Sequence, residues 1–252
     1  MNIAIVTGAS SGLGKVFFEQ LIKRYTSLDE VWIVARRLER LEELADKFSN
    51  RKIRVFSLDL SEPESFDTLS HSLETLKPTV KILINNAGFD RTGLFHKMKP
   101  QNIQAMINLN VMGMTLLNRI CLPYMKRGSY EIITGSIGGF IPLPGSAVYS
   151  ASKAYTRFLA RALHEEEKSR GVNVMLLSPG NMDTEMLKRS EIHGKLSFLP
   201  YLDLQKETVK AMKKAEKGAA VYTPLAFYKA YRIFGKIVPS ALAVKFTKVE
   251  IK

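Results

Sequence analysis

The sequence is poor in cysteine and histidine, and this excludes several kinds of site. Cys121 is the single cysteine among the 252 residues, so the chain forms no internal disulfide, which fits a reducing compartment. The four histidines, His71, His96, His164 and His193, are scattered, without an H-x-x-x-H spacing or an acidic companion at metal-ligand spacing. We therefore predict no metal site, because metal ligands recur at characteristic spacings.

Long apolar runs are also missing. No uninterrupted run reaches the roughly 18 residues that a membrane-spanning helix needs. Met1 and Asn2 lead directly into the apolar stretch 3–6, without the basic region or cleavage site of a signal peptide. We therefore expect a cytoplasmic protein.

Acidic residues are fewer than basic ones. The chain has 24 Asp and Glu against 37 Lys and Arg, which gives a net charge of +13. Such a charge attracts nucleotides, phospholipid headgroups, acyl or carboxylate substrates, or nucleic acid. The basic residues are spread along the chain, however, without zinc-finger spacing, an RNA-binding signature or an arginine-rich arm. We interpret the charge as a solvated basic surface and predict no nucleic-acid partner.

Short β-branched runs alternate with amphipathic stretches along the chain. The runs are 3–7, 31–35, 53–58, 80–85, 131–135, 172–178 and 219–223. Most are apolar throughout, as is typical of parallel strands buried on both faces. The pattern predicts an α/β fold over residues 1–223: a single-domain, doubly wound (Rossmann) seven-stranded parallel sheet with helices on both faces.

The turn after the first predicted strand is rich in glycine and reads T-G-A-S-S-G-L-G from Thr7 to Gly14. Glycine lets the backbone approach a pyrophosphate, whose charge then lies at the positive end of the next helix. Glycines also simply end strands, but the position between a buried strand and a predicted helix favours dinucleotide binding. The predicted contacts are Gly8, Ser10, Ser11, Gly12, Leu13 and Gly14.

Tyr149 and Lys153 are four residues apart, and Ser136 lies upstream of them. Residues at i and i+4 share one face of a helix, so the phenol and the ammonium would lie side by side. A nearby cation favours the phenolate and would lower the tyrosine pKa from about 10 towards neutrality. We therefore predict that Tyr149 exchanges protons with a substrate at physiological pH.

Together these motifs resemble the short-chain dehydrogenase/reductase family over residues 2–223. The resemblance rests on Thr7-Gly8-x-x-x-Gly12-x-Gly14, Asp59-Leu60, Asn85-Asn86-Ala87-Gly88, Asn110, Ser136, Tyr149-x-x-x-Lys153 and Pro179-Gly180 followed by Thr184. It implies an oxidoreductase that interconverts a carbonyl and an alcohol by hydride transfer. The alternative is a non-catalytic dinucleotide-binding sensor or scaffold, which usually lacks the tyrosine or the lysine.

The resemblance implies catalytic roles for four residues. Tyr149 would donate a proton to the carbonyl oxygen, and Ser136 would hold that oxygen by hydrogen bonding. Lys153 would lower the phenol pKa and bond the nicotinamide ribose, so that Tyr149 and Lys153 also contact the cofactor. Asn110 would anchor a water that relays protons through Lys153.

The resemblance also implies cofactor contacts at the ends of other strands. Asp59 and Leu60 would face the adenine ring, with Asp59 accepting from its amino group. Asn86, Ala87 and Gly88 would line the adenosine side. The nicotinamide and its carboxamide would be held by residues after the sixth strand, Pro179, Gly180 and Thr184, with Met182 packing nearby.

Arg36 and Arg37 follow the second predicted strand, where an acidic residue favours NAD and an arginine favours the 2′-phosphate of NADP. No acid occupies this position, and the guanidinium fork suits phosphate. The two arginines could instead merely begin a basic helix. We predict NADP(H), with NAD(H) less favoured, and place Arg36 first and Arg37 second as the phosphate contact.

Residues 185–204 lie where the resemblance implies a substrate lid. The segment has an apolar surplus for a loop, which favours a lipophilic small-molecule carbonyl or alcohol substrate, steroid-like or acyl. The same residues could instead seal the core. The apolar members are Met186, Leu187, Leu196, Phe198, Leu199, Pro200, Tyr201 and Leu202.

Residues 224–252 form a basic, amphipathic C-terminal extension whose one acid is Glu250. Such a segment could lie on an anionic membrane as a weak contact. Packing on the main domain, over the substrate pocket or at a subunit interface, is favoured. The resemblance implies a homodimer or homotetramer paired through helices around 101–125 and 149–169.

Overall fold

The computed structural model describes residues 1–186 and 199–247, and a parallel sheet lies at its centre. The strands are β1 (Asn2–Thr7), β2 (Glu30–Ala35), β3 (Ile53–Ser57), β4 (Thr79–Asn85), β5 (Tyr130–Thr134), β6 (Asn173–Leu177) and β7 (Val221–Tyr222). Within the described residues they form one seven-stranded sheet in the order β3-β2-β1-β4-β5-β6-β7, with parallel neighbours. The predicted Rossmann sheet is confirmed, and each strand ends within two residues of its predicted bounds.

Helices connect the strands and follow the last one. They are α1 (Gly12–Arg24), α2 (Leu38–Asp46), α3 (Ser65–Leu76), α4 (Pro100–Ile107), α5 (Met114–Cys121), α6 (Ala147–Glu167), α7 (Leu204–Glu216), α8 (Ala226–Ile237) and α9 (Ser240–Ala243). A π-helical turn, Asn108–Gly113, joins α4 to α5.

The strands are apolar throughout because both faces of the sheet are covered. Successive residues of a strand point to opposite faces. On β1, Ala4 and Val6 pack with residues of α1 and α7 in one core cluster. Ile3 and Ile5 pack with residues of α3 and α5 in the other. All four side chains are fully buried, so the usual alternation of polar and apolar residues is absent.

The sheet is extended in one direction from β1 by β2 and β3, and in the opposite direction by β4 to β7. The strand β1 therefore pairs with β2 on one side and with β4 on the other. Ligands of such sheets bind outside the carboxyl ends of the strands at this switch point. Thr7, at the end of β1, accepts hydrogen bonds through its Oγ1 from the backbone N–H groups of Asn86 and Ala87, both at 3.0 Å. The loop after β4 is therefore held beside the glycine turn after β1.

One helical stretch of the described residues, Pro100–Tyr124, is long and apolar enough to cross a membrane by length and composition alone. Its side chains Met106 and Leu117 are fully buried in the core. Polar residues interrupt the stretch, which is why the sequence shows no uninterrupted apolar run. A core helix meets the same criterion, so the stretch does not by itself indicate a membrane span.

The helix α8 packs on the preceding residues through one side. Tyr228 is fully buried, and a Cβ on Gly235 would lie 2.8 Å from Cγ1 of Ile141. The division of the chain into a main domain and an extension at residue 224 stays a prediction. Residues 248–252, including Glu250, lie outside the described residues.

Candidate active site

A cleft of about 540 Å³ opens at the carboxyl ends of the strands beside β1. Ser136, Tyr149 and Lys153 line it. Of the predicted cofactor contacts, those lining it are Gly8, Ser10, Ser11, Gly12, Leu13, Arg36, Arg37, Asp59, Leu60, Asn86, Ala87, Gly88, Tyr149, Lys153, Pro179, Gly180, Met182 and Thr184. The two remaining site residues lie one layer behind this lining, Gly14 against Gly8 and Asn110 beside Gly88.

The glycine turn depends on glycine at several of its positions. Gly8 and Gly12 have φ angles of 68° and 54°, in the left-handed region that other residues rarely adopt. A Cβ on Gly14 would lie 2.3 Å from the carbonyl oxygen of Gly8. Ser11 caps α1 without a side-chain hydrogen bond, and the first helical turn has no acidic residue. The first-turn N–H groups therefore offer a site for an anion at the positive end of the helix.

Arg37 is held against the serines of this turn. Its Nη2 donates to Oγ of Ser10 at 3.0 Å and to Oγ of Ser11 at 2.7 Å. Arg36 has a side chain that is 66% exposed and pairs with Asp59 over 3.4 Å. Consecutive side chains of an extended segment point to opposite sides, so only one of the two arginines faces the glycine turn. That arginine is Arg37, which the sequence analysis placed second.

Glu185 links the start of the predicted lid to the same arginine. Its carboxylate pairs with Arg40 at 2.6 Å and with Arg37 at 3.0 Å. Hydrogen bonds from Arg40 and then Arg37 hold the pKa of Glu185 at about 2. Salt bridges therefore tie the first residue of the predicted lid to arginines at the mouth of the cleft.

Tyr149 and Lys153 lie on the same side of α6, as their spacing predicts, and meet the end of β5. Ser136 and the Tyr149 ring both adjoin Gly138, since a Cβ there would lie 3.4 Å from Oγ of Ser136 and 3.6 Å from Cε1 of Tyr149. Oγ of Ser136 also accepts from the backbone N–H of Gly138 at 3.0 Å. Lys153 is 6% exposed. Its Nζ donates to the carbonyl oxygen of Thr134 at 3.0 Å and lies 5.8 Å from the centroid of the Tyr149 ring.

The surroundings shift the pKa values of this pair in opposite directions. Burial raises the pKa of Tyr149, the charge of Asp90 raises it further, and the nearby Ser136 hydroxyl lowers it. Burial lowers the pKa of Lys153 to about 8, against the opposing effect of Asp90. The expectation that Lys153 draws the phenol pKa towards neutrality is therefore wrong for the protein alone. Removal of the phenol from water has the largest effect on its pKa, and it acts in the opposite direction to the expected shift.

Asp90 is a further titratable side chain of the cleft, which the sequence analysis missed. It lines the cleft, is 7% exposed and accepts a hydrogen bond from Oγ of Ser146 at 3.3 Å. Burial raises its pKa to about 6, while the hydrogen bond from Ser146 and the charge of Lys153 oppose this rise. The available signal was its position two residues after Gly88, in the loop that follows β4.

Asn110 lies in the π-helical turn and fastens the loop after β4. Its Nδ2 donates to the carbonyl oxygen of Phe89 at 2.9 Å and to Oγ of Ser152 at 3.2 Å. Its Oδ1 accepts from the backbone N–H of Phe89 at 3.0 Å. The turn packs closely, since a Cβ on Gly113 would lie 2.2 Å from the carbonyl oxygen of Leu60. The water relay implied for Asn110 stays a prediction.

Asn86 connects three strands. Its Nδ2 donates to the carbonyl oxygen of Thr7 at 3.2 Å, and its Oδ1 accepts from Oγ1 of Thr134 at 3.2 Å. These bonds join the ends of β1, β4 and β5, which supports a structural role. A contact with the cofactor stays a prediction for Asn86, and the two roles are compatible.

Tyr228 of α8 supports the loop after β6, although no local signal in the sequence pointed to it. A Cβ on Gly180 would lie 2.0 Å from the Tyr228 ring. The Tyr228 hydroxyl accepts from the backbone N–H of Asn181 at 3.2 Å and donates to the carbonyl oxygen of Pro200 at 2.5 Å. The C-terminal helix thus holds both the predicted nicotinamide loop and the end of the lid segment.

The predictions about a metal site and about the substrate lid can be compared only with the residues that the structure describes. Within 1–186 and 199–247, no group of three or more His, Cys, Asp or Glu side chains could hold a metal ion. Of the predicted lid, Leu187, Leu196 and Phe198 lie outside the residues that the structure describes, as does His193.

Comparison with known proteins agrees with this geometry. The short chain dehydrogenase family model matches residues 2–194. The chain is 29% identical over 243 residues to the very-long-chain 3-oxoacyl-CoA reductase of Rattus norvegicus, which covers 93% of this chain and 73% of that protein. It is 34% identical over 188 residues to the NADPH-dependent 1-acyldihydroxyacetone phosphate reductase of Saccharomyces cerevisiae, which covers 73% of this chain and 62% of that protein.

A solved structure shares both fold and family. It is a short-chain dehydrogenase from Sphingobium yanoikuyae in complex with NADPH, 26% identical, with a TM-score of 0.79 over 96% of this chain and 98% of that one. The family match covers most of the sequence, including the glycine turn and the Tyr149–Lys153 pair. The chain therefore belongs to the short chain dehydrogenase family and is an oxidoreductase.

Proposed function

We propose that this oxidoreductase interconverts a carbonyl and an alcohol by NADP(H)-dependent hydride transfer on a lipophilic substrate, with an acyl carbonyl favoured over a steroid-like one. The observation that carries the proposal is that Tyr149, Lys153 and Ser136 line the same cleft as the glycine turn, with Ser136 and Tyr149 both adjoining Gly138. A proton donor and a second hydroxyl therefore adjoin a surface suited to a dinucleotide.

The residues of the cleft fit a dinucleotide at its two ends. At the mouth, Arg37 and the first turn of α1 offer donors to phosphate groups. Deeper in the cleft, Gly88 keeps the space in front of Lys153 open. A side chain there would begin 3.5 Å from Nζ of Lys153 and 3.0 Å from Oδ1 of Asn110. A bound nicotinamide would supply the hydride for the substrate carbon.

A preference for NADP(H) is supported by Arg37 and by two relatives. The guanidinium of Arg37 is already oriented by Ser10 and Ser11, so less side-chain freedom is lost when it binds a 2′-phosphate. The yeast relative is named as NADPH-dependent, and the Sphingobium structure contains NADPH. Arg36 is the second candidate contact, on the outer side of the mouth.

Tyr149 donates the proton in the reductive direction. Its raised pKa keeps the phenol protonated at neutral pH, which is the form that a proton donor needs. Ser136, oriented by the N–H of Gly138, holds the substrate oxygen by a hydrogen bond while Tyr149 transfers its proton to that oxygen.

Lys153 restores the proton to Tyr149. A pKa of about 8 allows the ammonium to lose and regain a proton near neutral pH. Asn110 lies behind Gly88, beside the space that Lys153 faces. A water held there would connect Lys153 to the solvent.

The lipophilic substrate is supported by the cleft and by the relatives. The apolar side chains Phe89, Met182 and Met186 line the cleft. The rat and yeast relatives are named as reductases of acyl substrates, a 3-oxoacyl-CoA and an acyldihydroxyacetone phosphate. An oxo group on or next to an acyl chain is therefore the first substrate class to test.

The test is a panel of 3-oxoacyl thioesters, acyl ketones, hydroxysteroids and short ketones, followed by NADPH absorbance. We expect acyl carbonyls to be reduced and Tyr149→Phe to lose roughly 100-fold or more in kcat while still binding NADPH. Tyr155→Phe, on the exposed side of the same helix, is the matched control and should keep its activity.

Near wild-type turnover by Tyr149→Phe would contradict this mechanism. NADPH binding without turnover of any compound in the panel would instead support the sensor or scaffold alternative. Turnover of short polar ketones in preference to acyl ones would contradict only the substrate class.

We further propose a homodimer or homotetramer that works in the cytoplasm, with weak membrane contact through the C-terminal segment. The oligomer is supported by exposed apolar side chains on α4 and α6, where the family resemblance implies subunit contacts. Ile107 and Phe158 are 45% and 70% exposed. Light scattering in solution tests this, and a monomer at all concentrations would contradict it.

A further inference from the structure

The helix α8 exposes apolar side chains on the face that points away from the core. Ile233 is 55% exposed and Ile237 is 75% exposed, while Phe227 and Phe234 are 49% and 37% exposed. Isolated exposed apolar residues are common, but a contiguous set on one short helix marks a contact surface.

The spacing of residues divides α8 into two faces. Tyr228, Tyr231 and Gly235, at i, i+3 and i+7, lie on the packed side. Ile233 and Ile237 lie one turn apart on the opposite side. Two exposed lysines flank them, Lys229 one turn before Ile233 and Lys236 beside Ile237. The outer face is therefore an apolar strip with a cationic border, the pattern of a helix that lies in a membrane interface.

The exposed surface continues beyond α8. Leu242 is 51% exposed and Phe246 is 72% exposed, and Lys245 between them is exposed as well. The sequence from 217 to 249 contains no Asp or Glu. No acidic residue of this segment therefore offsets the positive charge of its lysines and arginine.

Two arginines extend the positive charge onto α6. Arg157 lies 5.5 Å and Arg232 lies 6.0 Å, measured from Cζ, from the centroid of the Phe140 ring. The salt bridges of residues 1–186 and 199–247 include neither guanidinium, and the buried Nε of Arg157 has no hydrogen-bond partner there. Burial and then mutual repulsion lower the pKa of Arg157. An anion placed between these arginines would relieve that repulsion.

We propose that the outer face of α8, with the residues that follow it to 247 and the neighbouring Arg157, is a docking surface for an anionic lipid bilayer. The apolar strip enters the acyl boundary, and the basic side chains remain at the level of the headgroup phosphates. The basic surface is complementary in charge to an anionic bilayer, and it is not complementary to a second copy of itself. A twofold contact would set Lys229 and Lys236 against an equally basic surface.

If the proposed function holds, docking through α8 would bring the cleft close to substrate dissolved in the membrane. Its inner residue Tyr228 contacts Gly180 and Pro200 at the wall of the cleft. A bilayer on the outer face therefore lies one helix diameter, about 10 Å, from the wall of the predicted nicotinamide loop. A lipophilic substrate dissolved in the membrane would have a short path to the cleft.

The experiment is co-sedimentation of the full chain with vesicles of phosphatidylcholine alone and of phosphatidylcholine mixed with phosphatidylglycerol. We expect binding to the anionic vesicles only, weakened by high salt. Lys229→Glu with Lys236→Glu should weaken it by roughly 30-fold or more. Ile233→Ser with Ile237→Ser should weaken it by roughly tenfold or more. All four residues are exposed, so the fold should persist, which circular dichroism checks.

Two control variants place charge reversals and an apolar-to-serine change elsewhere on the surface. Lys23→Glu with Lys213→Glu alters the net charge equally on exposed positions of α1 and α7, and Leu76→Ser removes a 39% exposed leucine from α3. Both controls should bind like the wild type. Equal binding to neutral vesicles, or equal losses in the controls, would overturn the proposal. The proposal would also be overturned if Ile233→Ser with Ile237→Ser changed the oligomeric state but left vesicle binding unchanged. The readout is independent of turnover, so failure of the proposed activity would leave the result interpretable.

Discussion

Asp90 and Lys153 interact across the buried end of the cleft. Lys153 lowers the pKa of Asp90 and Asp90 raises the pKa of Lys153, while burial, the larger effect on each, acts in the opposite sense. The same carboxylate raises the pKa of Tyr149. A change of charge at Asp90 therefore reaches both residues of the pair that we propose to carry the proton.

Asp90→Asn should shift the pH dependence of carbonyl reduction. Reduction needs protonated Tyr149, and loss of the Asp90 charge lowers the Tyr149 pKa. The alkaline limb of kcat/KM should move to lower pH by roughly one unit. Asp67→Asn, at an exposed position of α3, is the control. An unchanged pH profile in Asp90→Asn would remove Asp90 from the proton-transfer group.

Arg37→Asp should change the cofactor preference. It removes the guanidinium that Ser10 and Ser11 orient and places a carboxylate near the 2′-phosphate. The KM for NADPH should rise by at least roughly tenfold, while the KM for NADH stays similar. Arg36→Asp should have a smaller effect, because that side chain is mostly exposed. Equal efficiency of the wild type with both cofactors would disprove the preference.

Glu131→Gln should stabilise the protein at neutral and alkaline pH. Glu131 is completely buried on β5, and burial raises its pKa to about 8 against a hydrogen bond from Asn85. The unfolded carboxyl loses its proton near the ordinary glutamate pKa of 4.5. Stability is therefore full below that pH, falls as the pH rises to about 8, and is level above it.

The neutral amide has no such dependence. At pH 8 Glu131→Gln should exceed the wild type in unfolding free energy by on the order of 3 kcal/mol, and below pH 4.5 the two should be equal. Urea unfolding at several pH values measures this. A wild type whose stability does not fall between these pH values would show that Glu131 titrates normally.

Tyr228→Phe should loosen the loop that we propose holds the nicotinamide. It removes one hydroxyl and leaves the N–H of Asn181 and the carbonyl oxygen of Pro200 without this partner. We expect a loss of about 1 kcal/mol in stability and a several-fold rise in the KM for NADPH, measured by urea unfolding and steady-state kinetics. Tyr231→Phe, on the same side of α8, is the matched control. Loss of stability with unchanged KM would make Tyr228 purely structural.

The sequence alone determined the features that depend on local patterns. Parallel strands buried on both faces must be apolar throughout, so the seven runs marked β1 to β7 to within two residues. A turn that brings the carbonyl of Gly8 against Gly14 tolerates no Cβ, so its glycines are visible in the sequence. The spacing of Tyr149 and Lys153 places them on one side of a helix whatever surrounds it.

The tertiary structure decided what depends on distant contacts and on burial. It brought Arg37, and not Arg36, to the glycine turn. It placed Asp90 beside Lys153 and Tyr228 beneath Gly180. It also reversed the expected pKa shift of Tyr149. Spacing along the chain specifies which side chains can be neighbours on one element. The water that each group loses, and the charges it meets from other elements, exist only once the sheet and its helices have packed together.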